Sequence, residues 1–279
     1  MTRWNWMAAG LLAAGAASAP AQGADLSYEQ VPEVVVGKAS DSPALYLRGD
    51  IGFTVKSEGG DATLKAFDGH GTRRIGFDEV RFGEPIAGSI GVGARINDML
   101  RTDLTAEYFR GTFKGESKVL GACSGEPSGP DGTNCQHSHR ADYEGISLMA
   151  NGYVDLATIS GITPYIGAGV GATRLSYGTV KERWTCLPGG QSCTGNALAG
   201  ETYSGDASWR FTYALMAGAS YSLSDNLALD VGYRYSDIAA GKIFDYKGWE
   251  AENGATGDKT RDDGLRRHEL RAGLRYTFN

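Results

Sequence analysis

Four cysteines and four histidines are the residues of this 279-residue chain best suited to bond-making chemistry. Cys123 and Cys135 lie close together, as do Cys186 and Cys193. An even number in an exported chain points to disulfides, here Cys123–Cys135 and Cys186–Cys193, each closing a short segment. Metal binding is the rival for Cys123, Cys135, His137 and His139, but C-x11-C-x-H-x-H fits no usual zinc spacing. His268 falls on the apolar-face parity near one end of the last strand, and no Ser-His-Asp order can be argued from the positions of His70, His137, His139 and His268. The expectation is no catalytic residue, no metal and no cofactor.

The second kind of chemistry is electrostatic. Arg48, Arg95, Arg101, Arg234, Arg271 and Arg275 alternate with apolar residues, as do Asp50, Asp103, Glu107, Asp155, Asp230 and Glu269. Six guanidinium groups against six carboxylates is a neutral set, and arginine is the cation suited to buried, multiply bonded pairs. Lysines are absent from these stretches except at their ends, Lys56 and Lys114. A water-facing surface would not sort its cations this way.

What positions these charges is a period of two. In the last stretch, Leu270, Ala272, Leu274, Tyr276 and Phe278 alternate with Glu269, Arg271, Gly273, Arg275 and Thr277. Such alternation makes a strand with one apolar and one polar face. It recurs from Leu45 to Val55, Ile86 to Asn97, Arg101 to Phe113, Tyr143 to Leu156, Pro164 to Tyr177, Trp209 to Leu223 and Leu227 to Ser236. That is eight strands, each near the ~10 residues a tilted membrane strand needs. A strand that ends the chain needs an earlier partner, and pairing it with the first strand closes a barrel. The connections after the second, fourth and sixth strands are tight turns. Those after the first, third, fifth and seventh run to about 30 residues, far beyond an ordinary loop.

Residues 1–24 read as a secretory signal: Arg3, an apolar core from Met7 to Ala17, and cleavage after Ala19, Ala21 or Ala24. Residues 25–44 read as a periplasmic tail and 45–279 as the barrel. A formal charge of −6 on an exported chain is a poor match for nucleic acid. The 41 glycines and 14 tyrosines suit short turns and strands.

Alternation alone fits a soluble barrel as well as a membrane barrel. Three features favour the membrane: arginine without lysine on the polar face, aromatics gathered toward strand ends (Trp209, Phe211, Tyr221, Tyr233, Tyr235, Tyr276, Phe278), and long connections at one rim only. The expected fold is an all-β, eight-stranded antiparallel transmembrane up-and-down barrel with long extracellular loops and short periplasmic turns. Its interior, too narrow for more than side chains, is expected to hold the charge network as a polar plug.

The stretches L-Y-L-R-G-D-I-G-F (Leu45 to Phe53), P-Y-I-G-A-G-V-G-A (Pro164 to Ala172), L-D-V-G-Y-R-Y (Leu229 to Tyr235) and L-R-Y-T-F (Leu274 to Phe278) resemble small outer-membrane β-barrel proteins of the OmpA-like and opacity type. The resemblance covers essentially the whole mature chain, without a peptidoglycan-binding domain. It implies residence in the Gram-negative outer membrane, contact with its lipid and lipopolysaccharide, and insertion by the barrel-assembly machinery. That machinery would read Tyr276 and Phe278; Phe278 is penultimate here, where the family usually ends on the aromatic. A non-enzymatic structural, envelope-integrity or adhesin-like role with surface ligands on the loops is the first expectation. A narrow channel for ions or very small solutes is the alternative, and an outer-membrane enzyme comes last.

Overall fold

The computed structural model describes residues 43–67, 70–117, 134–187, 191–192, 202–247 and 249–278. The expected signal, nearly all of the tail, and the side chains of all four cysteines lie outside what is described.

Strand β1 (Ala44–Gly59) is followed by β2 (Ala62–Phe67), β3 (Thr72–Gly76) and β4 (Glu79–Phe82) in the first long connection. Next come the hairpin partners β5 (Ile86–Arg95) and β6 (Leu100–Ser117), then β7 (Asn134–Asp155) and β8 (Ile162–Tyr177). The third long connection carries β9 (Thr179–Leu187), β10 (Gln191–Ser192) and β11 (Thr202–Ser204). Then β12 (Ala207–Ser222) and β13 (Leu227–Ile238) lead to β14 (Gly241–Asp245), one helical turn α1 (Trp249–Glu252), β15 (Asp258–Asp262) and the closing strand β16 (Leu265–Thr277).

Eight of these strands pair antiparallel in a closed ring: β1, β5, β6, β7, β8, β12, β13, β16 and back to β1. Tyr276 stands opposite Leu47, and Leu270 opposite Phe53. Closure therefore pairs the backbone of both terminal barrel strands, which is what the hydrocarbon layer demands.

Parity sorts the side chains. Leu47, Ile51, Ile90, Val92, Leu104, Leu148, Val170, Leu215, Val231, Leu270 and Leu274 all lie exposed on the outer wall. Trp209, Phe211 and Tyr213 border this apolar belt toward the long connections, and Tyr221, Tyr276 and Phe278 border it toward the short turns. The two aromatic rims are the interfacial girdles of a membrane barrel.

The long connections depart from the expected loops, because much of their length is strand. β14, β15, β2 and β3 form a separate four-stranded sheet, with β15 pairing β2. β7 begins at Asn134 rather than near Tyr143, and its extra length pairs with β9. Polar, glycine-rich composition hid these segments, since their period-two signal is short and interrupted.

The structure predicts that the folded protein stays closed in cold detergent. The unboiled form should run ahead of the boiled form on a detergent gel. Identical mobility before and after boiling would contradict a closed eight-stranded ring.

Candidate functional site

The barrel interior is where the sequence's charges converge. Glu107 on β6 is its hub, 3% exposed. Its Oε2 accepts from Arg234 Nη1 at 2.7 Å and pairs with Arg271 Nη2 at 2.7 Å, and its Oε1 accepts from Arg267 Nη1 at 3.0 Å. Arg267 also donates to Glu269. Arg271 donates to Ser89 Oγ at 2.9 Å, and Ser89 donates to Asp50 Oδ2 at 3.1 Å. Arg48 clasps Asp50 through two nitrogens, at 2.6 and 3.0 Å, and reaches Asp103 with a third at 3.0 Å. Asn151 closes that end by donating to Asp103 Oδ1 at 2.7 Å.

Two further pairs lie toward the short turns. Arg101 forks onto Asp155 at 2.6 and 2.7 Å, with the rings of Tyr153 and Tyr165 at 5.0 and 5.3 Å. Arg275 Nε donates to Asp230 Oδ2 at 3.1 Å, and Ser220 donates to the other oxygen at 2.5 Å. Among the charged interior residues expected from sequence, Arg95 alone is not brought into an ion pair with any described residue. It lines a basin of about 530 Å³ at the short-turn end, alongside Asp98, Asp155 and Arg275.

Three members of the interior escaped the sequence reading. Arg267 belongs to the hub, and Arg210 donates to both oxygens of Asp262 at 2.6 and 2.9 Å, with Tyr177 donating to the same carboxylate at 3.0 Å. Arg210 and Arg267 share the inward parity, so the alternation contained the signal. Asp262 sits on β15, outside any stretch whose parity could be read.

A polar plug describes only part of the interior. Its long-loop end is an apolar cluster that includes Phe82, Phe109, Phe113, Tyr143, Leu175 and Tyr177, with Ile238, Ile243, Phe244 and Leu265. Phe82, Phe109, Phe113, Tyr143 and Tyr177 meet edge-to-face or tilted, with centroids 5.3 to 6.4 Å apart. Gly145 makes room for this packing, because a Cβ there would fall inside the ring of Phe109. Below the cluster, a void of about 20 Å³ among Arg48, Asp50, Asn151, Arg234 and Arg271 has room for about one water.

Outside the barrel the remaining expected residues are dispersed. His268 faces the outer wall, its Nδ1 2.5 Å from the Tyr233 hydroxyl, with Tyr235 alongside. His139 is buried against the edge of Phe77, centroids 5.1 Å apart. Tyr276 and Phe278 stack edge-to-face at 5.2 Å on the outer wall. Among the described residues no group of three or more His, Cys, Asp or Glu could hold a metal. In the outer sheet, a hydrogen bond to Asp245 holds the Lys242 ammonium above its ordinary pKa. The pairing of β7 with β9 sets the backbone of Cys135 opposite that of Cys186, and on its other side Cys186 faces Gln191.

A family model described as "Outer membrane protein beta-barrel domain" matches residues 9–278. An uncharacterized protein of Brucella abortus (strain 2308) is 37% identical over 257 residues, 85% of this chain and 86% of that protein. A Rickettsia bellii (strain OSU 85-389) protein that carries the provisional name of an adhesin is 32% identical over 190 residues, 68% of this chain and 73% of its own. Among solved structures, the outer membrane protein OprG of Pseudomonas aeruginosa aligns over 86% of this chain and 97% of its own, at 14% identity and a TM-score of 0.46.

Two measurements test this geometry. Glu107→Gln leaves the buried guanidinium groups of Arg234 and Arg267, and the partly buried one of Arg271, short of charge and should cost about 3–5 kcal/mol of stability in urea unfolding from lipid vesicles. Arg95→Gln, at the unpaired position, should stay within about 0.5 kcal/mol. Equal effects would show that the hub carries no special weight. Directly opposed antiparallel residues have Cα atoms about 4.5–5.5 Å apart, within disulfide reach. A non-reducing peptide map should therefore contain a Cys135–Cys186 link, and a map showing only Cys123–Cys135 and Cys186–Cys193 would refute that pairing.

Proposed function

The chain belongs to the outer-membrane β-barrel protein family, and we propose that within it this protein is a closed, non-enzymatic barrel whose working surface is its strand-built outer end. One observation carries this reading: the interior is filled from end to end of the network. Ion pairs occupy the membrane-level lumen and an aromatic cluster occupies the level above it. A solute would have to break buried ion pairs and then displace packed rings. Breaking one such pair alone costs about 3–5 kcal/mol, before any cost of the apolar cluster.

The effort of the sequence is instead spent on the outer end. Two hairpins from distant parts of the chain join in one sheet, and β7 and β9 raise a second wall beside it. Rigid strands present side chains at lower entropic cost than open loops. Such a platform suits contact with another surface, an adhesin-like or envelope-stabilising role, and the provisional name of the Rickettsia bellii relative is in keeping with it. Enzymatic work would need a base beside a nucleophile at the rim. His268 faces lipid and Tyr233 instead.

Conductance across planar bilayers tests the proposal. The parent protein should show no steady openings. Arg271→Ala removes one partner of Glu107 and frees space beside the 20 Å³ void, and should raise the frequency of small openings or lower stability. Large, steady conductance from the parent would replace this reading with the narrow-channel one.

A further inference from the structure

On the outer wall, above the lipid belt, four cations stand in one row. Arg81 on β4 is the register partner of Lys114 on β6, Lys114 of Arg140 on β7, and Arg140 of Lys181 on β9. Their neighbours Phe82, Phe113, Ala141 and Val180 are buried, so by strand parity the four charges point away from the interior. All four are exposed. Adjacent strands lie about 4.8 Å apart, so the row is about 14 Å long.

Like charges directly opposite one another destabilise a sheet. Here three in succession, Lys114, Arg140 and Lys181, make no ion pair with any described residue. Arg81 is held by Glu79, its Nε donating at 2.6 Å. Acids do flank the row. Glu79 and Glu116 are one step further out, and Asp142 one step nearer the membrane, where it accepts from Thr112 Oγ1 at 3.1 Å. None of them makes an ion pair with Lys114, Arg140 or Lys181. Arg183, exposed opposite Ser138, adds a further positive charge beside the outer step.

We propose that this row binds the phosphate- and carboxylate-bearing sugars of the lipopolysaccharide that surrounds the barrel in the outer leaflet. Direction and height select this occupant. Side chains of outward parity point sideways into the membrane's own surface layer, whereas a polyanion arriving from another cell meets the outer sheets from above. The apolar belt on these strands ends at Tyr108 and Ile146, which are register partners. Lys114 and Arg140 each lie six residues further along. At about 3.3 Å per residue and a tilt of about 40°, the row stands about 15 Å above the edge of the hydrocarbon. The headgroup zone of one leaflet is only about 5–8 Å deep, so the row is above the lipid phosphates and level with the sugars. A fixed row of cations then does what mobile divalent ions otherwise do between neighbouring anionic sugars, and it anchors the saccharide layer to the protein wall.

The test uses the whole barrel refolded in detergent and two probes: lipopolysaccharide with a complete core oligosaccharide, and lipid A alone. The variant Lys114→Gln/Arg140→Gln/Lys181→Gln should lose about tenfold or more in affinity for the core-bearing form, with a shallower salt dependence. Lipid A alone should bind weakly and equally to parent and variant. Heat-modifiability shows whether the variant is folded. If it is not, Arg140→Gln, at the centre of the row, takes its place and should show the largest loss of the three single variants. Undiminished binding of the core-bearing form by the folded variant would overturn the proposal. So would lipid A binding as tightly as the core-bearing form, or heparin binding to the row where lipopolysaccharide does not. The outcome is independent of conductance, so the closed-lumen reading stands or falls separately.

Discussion

A charge inside a barrel this narrow has little water to fall back on. An inward carboxylate must find its counter-charge among the other interior side chains, on its own strand as Asp50 does with Arg48 or across the lumen as Glu107 does with Arg234 and Arg267. This constraint organises the membrane-level interior. It accounts for arginine rather than lysine, since a forked cation can hold Asp50 and Asp103 at once, as Arg48 does. It also accounts for small residues beside large ones. Gly273 has no Cβ because one would collide with the carboxylate of Asp50.

Opposite solutions fill the two ends of the interior. At membrane level the filling is ionic, and the wall outside it is apolar. Above the membrane the filling becomes aromatic and aliphatic, and the wall outside it becomes charged. The chain thus turns itself inside out along the barrel axis. The change follows the solvent: lipid outside permits a polar lumen, whereas water outside favours an ordinary hydrophobic core.

That inversion explains what the sequence disclosed. Period-two alternation revealed all eight barrel strands, because one face of each strand meets lipid without interruption, and the opposite parity carries Glu107, Asp50 and Arg271. The same rule failed where the outer face becomes polar. From Tyr143 out to His139, β7 alternates the exposed charges Asp142 and Arg140 with buried residues on a wall no longer touching lipid, and the stretch passed for a loop. Asp262 was missed for a related reason: its importance comes from Arg210 and Tyr177, residues remote in sequence, and from nothing in its own neighbourhood.

The pairing of β15 with β2 has a consequence for assembly. β1 and β16 form the seam at which the two ends of the chain meet, and β2 and β15 directly continue those ends above the membrane. The seam is therefore stitched twice, once within the bilayer and once outside it. The upper stitch joins segments remote in sequence, Leu64 standing opposite Thr260, so it cannot form before β15 has been made. It ties the connection that follows β1 to the one that precedes β16, and so clamps the seam strands at their outer ends as well as along their length. A seam that parts at the rim therefore takes the outer sheet apart with it.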